Sequence, residues 1–238
     1  MKKGIWKKIV LLSMALILIT GLVFVSYFSV CYKSQSDPAI SAQVSLAEEK
    51  DHIALIPEAY ETALIFYSGA KVEESAYIPL FEICAKEGVL CLIARTPFHF
   101  PLFDIGAASS LKAAHPEVKH WYLAGHSLGG VCASLYLKDH PQEAEGLILL
   151  ASYADADLSD TDLRVLDIYG DLDGVMNREK HDEHLKDLPS DYETFLIKGG
   201  NHCQFGDYGL QKGDNEATIS SEEQKQITAR AILSFIRE

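Results

Sequence analysis

The sequence holds no CxxC pair. Its five cysteines, Cys31, Cys84, Cys91, Cys132 and Cys203, form no evenly spaced framework, so neither a zinc site nor a disulfide scaffold is indicated. Basic residues are scarce: 21 Lys and Arg stand against 34 Asp and Glu, a formal charge of -13, with no basic stripe beyond the first eight residues. That balance argues against a nucleic-acid partner, because little on the surface would neutralise phosphates. Internal repeats and low-complexity tracts are missing too. With 48% hydrophobic residues and 8 prolines among 238 positions, the chain can bury one ordinary core. Cys84, Cys91 and Cys132 lie in apolar runs and read as small core residues.

What is present begins with a long apolar run. Lys2, Lys3, Lys7 and Lys8 form a basic stub over residues 1–8, and Ile9 to Tyr32 follow as 24 residues without a charge, closed by Lys33. At a rise of about 1.5 Å per residue such a helix crosses about 30 Å of hydrocarbon. A cleavable signal peptide is the rival, but "SYFSVCYKS" offers no small-x-small site, and valine before Cys31 is too bulky for a lipoprotein signal. The expectation is a single-pass signal anchor over 9–32. Four lysines before it against one after it orient the N-terminus to the cytoplasm and the remaining chain outside. Residues 33–50, polar and small, read as a linker to a domain over 51–238.

Within that domain short apolar runs ("ETALIFYSG", "GVLCLIART", "HWYLAG", "GLILLAS", "RVLDIYG", "ETFLIKGG") take turns with helical patterns. Continuous apolar strands separated by crossover helices predict an α/β fold with a mostly parallel, doubly wound sheet.

Ser127 sits where "HWYLAG" gives way to a helix beginning at Leu128, in the pattern Gly125-His126-Ser127-Leu128-Gly129. A G-x-S-x-G at a strand-to-helix turn holds the serine at strained dihedrals with its hydroxyl exposed, and the helix N-terminus aims the Leu128 N–H at a developing oxyanion. Such a nucleophile needs an acid and a base later in the chain. "YGDLDGV" supplies Asp171 and Asp173, and "GGNHCQF" supplies His202. Asp173 is the expected acid, lying further past the strand end and just before a helix near Asn177; Asp171 beside the turn reads as a backbone hydrogen-bonder. "HDEH", residues 181–184, puts two histidines on one helix face but reads as a solvated face with no third metal ligand.

The segments "GHSLGG", "YGDLDGV" and "GGNHCQFGDYG" together resemble the α/β-hydrolase superfamily, in particular its small lidless type, α/β-hydrolase family 5, similar to dienelactone hydrolases and carboxylesterases. By that resemblance "IFYSGAKVEESAYIPL" is the first strand-loop-helix connection, with Ser68-Gly69 where many members carry His-Gly, and it implies Ala70 N–H as second oxyanion donor, with Lys71 the alternative. Only a short loop, residues 153–163, stands where larger lipases insert a helical lid. The "RTPFHFPLF" stretch should reach the same sheet edge, so Phe98, His99, Phe100 and Phe103 are candidate walls of an acyl pocket.

These residues imply a serine hydrolase acting on a small acyl or ester substrate, tethered to a membrane, with Ser127, Asp173 and His202 catalytic and no metal or organic cofactor called for. A lactone, thioester or peptide hydrolase on the same triad, and a catalytically silent surface binding domain, are the alternatives.

Overall fold

The computed structural model describes residues 2–37 and 40–238. Residue 1 of the basic stub and positions 38 and 39 of the expected linker lie outside the described residues. The chain divides into two compact units with a boundary after Cys31.

The first unit is one helix, α1 (Lys2–Phe28). Its stretch Ile5–Phe28, 24 residues at mean hydropathy 2.7, is long and apolar enough to cross a membrane. The Ser29 N–H closes the last turn on the Val25 carbonyl at 2.9 Å. The helix therefore ends four residues before the boundary expected at Tyr32. Tyr32 belongs to the second unit, where its N–H donates to the Lys71 carbonyl at 2.7 Å and its carbonyl accepts from Glu73 N–H at 2.9 Å. A residue committed to a parallel bridge cannot also continue a helix.

The second unit is built on eight strands: β1 (Val44–Glu48), β2 (His52–Pro57), β3 (Thr62–Tyr67), β4 (Val89–Ala94), β5 (His120–His126), β6 (Gly146–Leu150), β7 (Arg164–Gly170) and β8 (Tyr192–Ile197). They form one sheet in the order β1-β2-β4-β3-β5-β6-β7-β8. From β4 to β8 every pairing is parallel, while β2 runs antiparallel to both β1 and β4. The expected linker over 33–50 is corrected here: five of its residues are β1, which covers the backbone edge that β2 would otherwise expose.

Helices α2 (Ile78–Lys86), α3 (Ala107–Ala114), α4 (Leu128–Asp139), α5 (Arg178–His184) and α6 (Ser221–Arg237) complete the order. Alternate residues of a strand point to opposite faces, and β3 shows the result. Leu64 and Phe66 join Phe81, Ile232 and Phe235 in one core cluster, while Ile65 and Tyr67 join Leu111, Leu123 and Leu137 in another. Both faces are thus covered, which is why β4 reads "VLCLIA" with all six residues buried. All the parallel strands end on the same edge, so the loops after β3, β5, β7 and β8 meet there.

The charged helix α5 departs from expectation. His181 is buried, not solvated, because α5 lies over β7 and its Nε2 meets Asp167 Oδ2 at 2.7 Å. His184 pairs with Asp187 at 2.8 Å, and no group of three metal-ligating side chains occurs among the described residues.

Candidate active site

β5 ends at His126 and α4 begins at Leu128, which leaves Ser127 alone on the turn with φ 53° and ψ -122°. A positive φ on a residue with a Cβ costs energy and persists only where the surroundings enforce it. They do so from both sides. Ser127 N–H donates to the Leu150 carbonyl at 2.9 Å, and the Ser127 carbonyl accepts from Ser152 Oγ at 2.6 Å. Gly129 lets α4 approach β3, since a Cβ there would fall on the Tyr67 and Ser68 carbonyls.

The loops after β7 and β8 bring two more of the expected residues together. His202 Nδ1 lies 2.8 Å from Asp173 Oδ2, with both side chains buried. The other carboxylate oxygen accepts from the N–H groups of Val175 and Met176, each at 2.8 Å. Burial by itself would raise the Asp173 carboxyl, but the bond and charge of His202 and these two N–H groups outweigh it and hold the group below the ordinary carboxylate value. A carboxylate on Nδ1–H leaves Nε2 as the lone-pair nitrogen. That nitrogen is buried and makes no hydrogen bond among the described residues. The His202 ring also lies 4.6 Å, centroid to centroid, from that of His126, the residue before Ser127.

Asp171 stands apart from this pair. Its Oδ1 accepts the Gly199 N–H at 2.7 Å, the turn role expected from the sequence.

On the β3 side, Lys71 N–H is engaged by the His99 carbonyl at 2.6 Å. The N–H groups of Ala70 and Leu128 donate no hydrogen bond among the described residues. Phe98, Phe100 and Phe103 form one aromatic cluster, with centroids 6.1 Å apart for Phe98–Phe103 and 5.4 Å for Phe100–Phe103. The turn Pro101–Phe103 packs against α4. Phe98 and Phe103 are 41% and 44% exposed, so they sit on the surface and not around an enclosed pocket. His99 is drawn elsewhere: its Nδ1 meets the buried Glu74 carboxylate at 2.7 Å, which raises its pKa, and it lines a polar cleft of about 500 Å³ with Glu48, Glu73 and Arg95.

A family model matches residues 63–226, a span that contains Ser127, Asp173 and His202, and its description is that of the alpha/beta hydrolase family. The chain belongs to this family. No curated protein sequence matches it. Solved structures show the same hydrolase fold at low identity. Est1E from Butyrivibrio proteoclasticus is 18% identical with a TM-score of 0.57, over 83% of this chain and 100% of that one. A predicted CIB-like hydrolase from Thermoplasma acidophilum is 14% identical with a TM-score of 0.59, over 82% and 100%. The alpha/beta hydrolase MGS-MChE2, from the metagenome of sediments of the Mar Chica lagoon in Morocco, is 19% identical with a TM-score of 0.58, over 80% and 98%.

Two supports of this alpha/beta hydrolase site escape sequence reading. Ser152 braces the elbow carbonyl from the loop after β6. Asp214 ties the loops after β7 and β8 together, accepting Cys203 N–H on Oδ2 at 2.9 Å and Gly174 N–H on Oδ1 at 3.0 Å. Each bonds backbone groups far away in sequence, and no local pattern marks such a partner.

Proposed function

We propose that the chain is a membrane-anchored serine hydrolase, its domain outside the cytoplasm, that cleaves carboxylic esters or related acyl compounds through an acyl-enzyme. Ser127 Oγ attacks the acyl carbon while its proton passes to His202 Nε2, and Asp173 keeps the Nδ1–H tautomer and stabilises the imidazolium. The tetrahedral oxyanion lies between Leu128 and Ala70 N–H, two donors that make no hydrogen bond among the described residues. Collapse breaks the bond to the leaving alcohol, which takes the proton from Nε2, and water repeats the sequence to release the acid. No metal takes part in these steps.

The observation that carries this reading is the buried 2.8 Å Asp173–His202 pair with Nε2 left free, in contact with the residue before a strained serine. Est1E, whose structure has been solved with ferulic acid bound, supports an acyl substrate by analogy of fold. The cluster of half-buried Phe100 with exposed Phe98 and Phe103 favours an apolar acyl group, and His99, held by Glu74, drops out of that wall. The apolar helix α1 supports the anchor, and the lysine bias before it supports the orientation.

One observation favours a catalytically silent domain: Nε2 makes no hydrogen bond to Ser127. Such bonds often tighten only when substrate is bound. A fluorophosphonate decides between the two readings. It should label the full chain and fail to label Ser127→Ala; absence of labelling on the wild type would overturn the hydrolase reading.

A further inference from the structure

We propose that Tyr77 and His126 form a buried positioning relay that joins the loop of the oxyanion donor Ala70 to the loop of His202. The inference rests on the hydrolase reading above. Gly69 N–H donates to the Tyr77 hydroxyl at 3.0 Å, the hydroxyl lies 2.8 Å from His126 Nδ1, and His126 Nε2 lies 3.0 Å from the His202 carbonyl oxygen. Tyr77 and His126 are both fully buried.

The direction of each bond follows from the ends of the chain. A carbonyl can only accept, so His126 carries its proton on Nε2 and presents a lone pair at Nδ1. Tyr77 must then donate to Nδ1, and its oxygen accepts from Gly69. Burial pushes the Tyr77 phenol up, and burial with the nearby His202 pushes His126 well below the ordinary histidine range, so neither group changes its proton at neutral pH. The relay therefore has one proton arrangement.

Its two ends are sites that the proposed reaction needs held still. Gly69 precedes Ala70, and the chain lies so flat on the relay that a Cβ on Gly69 would stand 2.8 Å from His126 Nδ1 and 3.1 Å from the Tyr77 oxygen. At the other end the His126 and His202 rings are in contact at 4.6 Å. His126 is also the residue bonded to the nucleophile, so one side chain references all three parts of the site to each other. Interactions realised only in the transition state act on kcat, not on KM.

The test uses the full chain in detergent, 4-nitrophenyl acetate as substrate, and an alkyl trifluoromethyl ketone, whose hemiketal oxyanion occupies the donor site. Tyr77→Phe removes the relay's middle oxygen. It should lower kcat by about tenfold with KM within about twofold, and weaken the ketone by the same factor as kcat/KM. In ¹⁵N-histidine spectra of the wild type, His126 should show a protonated Nε2 and a bonded lone pair at Nδ1, and Tyr77→Phe should shift the Nδ1 signal. If Tyr77→Phe does not fold, Gly69→Ala, which crowds the relay from the loop side, should give the same kcat and ketone losses. An active wild type in which the folded variant keeps kcat and ketone affinity, or in which Nδ1 carries the proton, overturns the relay. A wild type that neither turns over nor reacts with fluorophosphonate overturns the hydrolase reading, and the relay's role with it.

Discussion

Asp173 and His202 meet at 2.8 Å across 29 positions of sequence, and two residues earlier the Asp171 carboxylate accepts the Gly199 N–H instead. The two carboxylates therefore separate by experiment. Asp173→Asn should leave the fold intact and lower kcat by up to about 10⁴-fold, because the amide favours the wrong tautomer and cannot stabilise the imidazolium. Asp171→Asn should cost about 0.5 to 1.5 kcal/mol of stability and keep turnover. Turnover and thermal midpoint measured on the same samples check both, and the opposite assignment of effects would move the acid to Asp171.

The elbow tolerates no side chain at Gly129, where a Cβ would collide with the backbone carbonyls of Tyr67 and Ser68 at the end of β3, which cannot rotate away. Gly129→Ala should destabilise by about 1 to 3 kcal/mol. In a domain of this size that lowers the melting temperature by about 2–4 °C per kcal/mol. Turnover should fall by more than the loss of folded protein explains, since the turn carries Ser127. A variant with wild-type melting and turnover would refute the close approach.

Acid should destabilise the domain through His126. Its folded pKa lies well below the ordinary 6.5, so the unfolded chain binds the proton first. The neutral buried ring thus favours the folded state above about pH 6.5, and stability falls as pH drops below that value, by up to about 1.4 kcal/mol per unit for this one group. His126→Gln, which does not titrate, should flatten the pH dependence between about 5 and 6.5. Denaturant midpoints at several pH values measure the slope, and equal slopes for the two proteins would exclude His126 as its source.

If α1 is an uncleaved anchor, the full-length protein should remain with membranes after a carbonate wash, and protease added outside intact cells should digest the domain. A soluble mature form beginning after residue 25 would show that the apolar run is a removed signal.

Much of this site was legible because its signals are local. A serine between glycines at a strand-to-helix boundary has few backbone solutions, and β7 and β8 are apolar runs whose following loops hold Asp173 and His202. The aspartate choice followed from loop position alone. The β1–β2 pair was less legible: "VSLAE" buries only Val44 fully and looks like polar linker until its partner strand is known. His181 misled for the same reason, since neighbours in a charged helix say nothing of the Asp167 carboxylate beneath it.

By itself the sequence determined the alternation of strands and helices from β3 onward, the strained turn at Ser127 and the residue types at the strand ends, because periodicity, glycine placement and chain order act over a few residues. Only the tertiary structure decided which groups meet. Ser152 under the elbow, Asp214 between two loops, and Tyr77 against His126 are hydrogen bonds over sequence separations of 25, 11 and 40, and 49 residues. Such bonds form because parallel strands end on one sheet edge and exclude water there, where an unpaired polar group is costly, and no local pattern in the chain encodes that proximity.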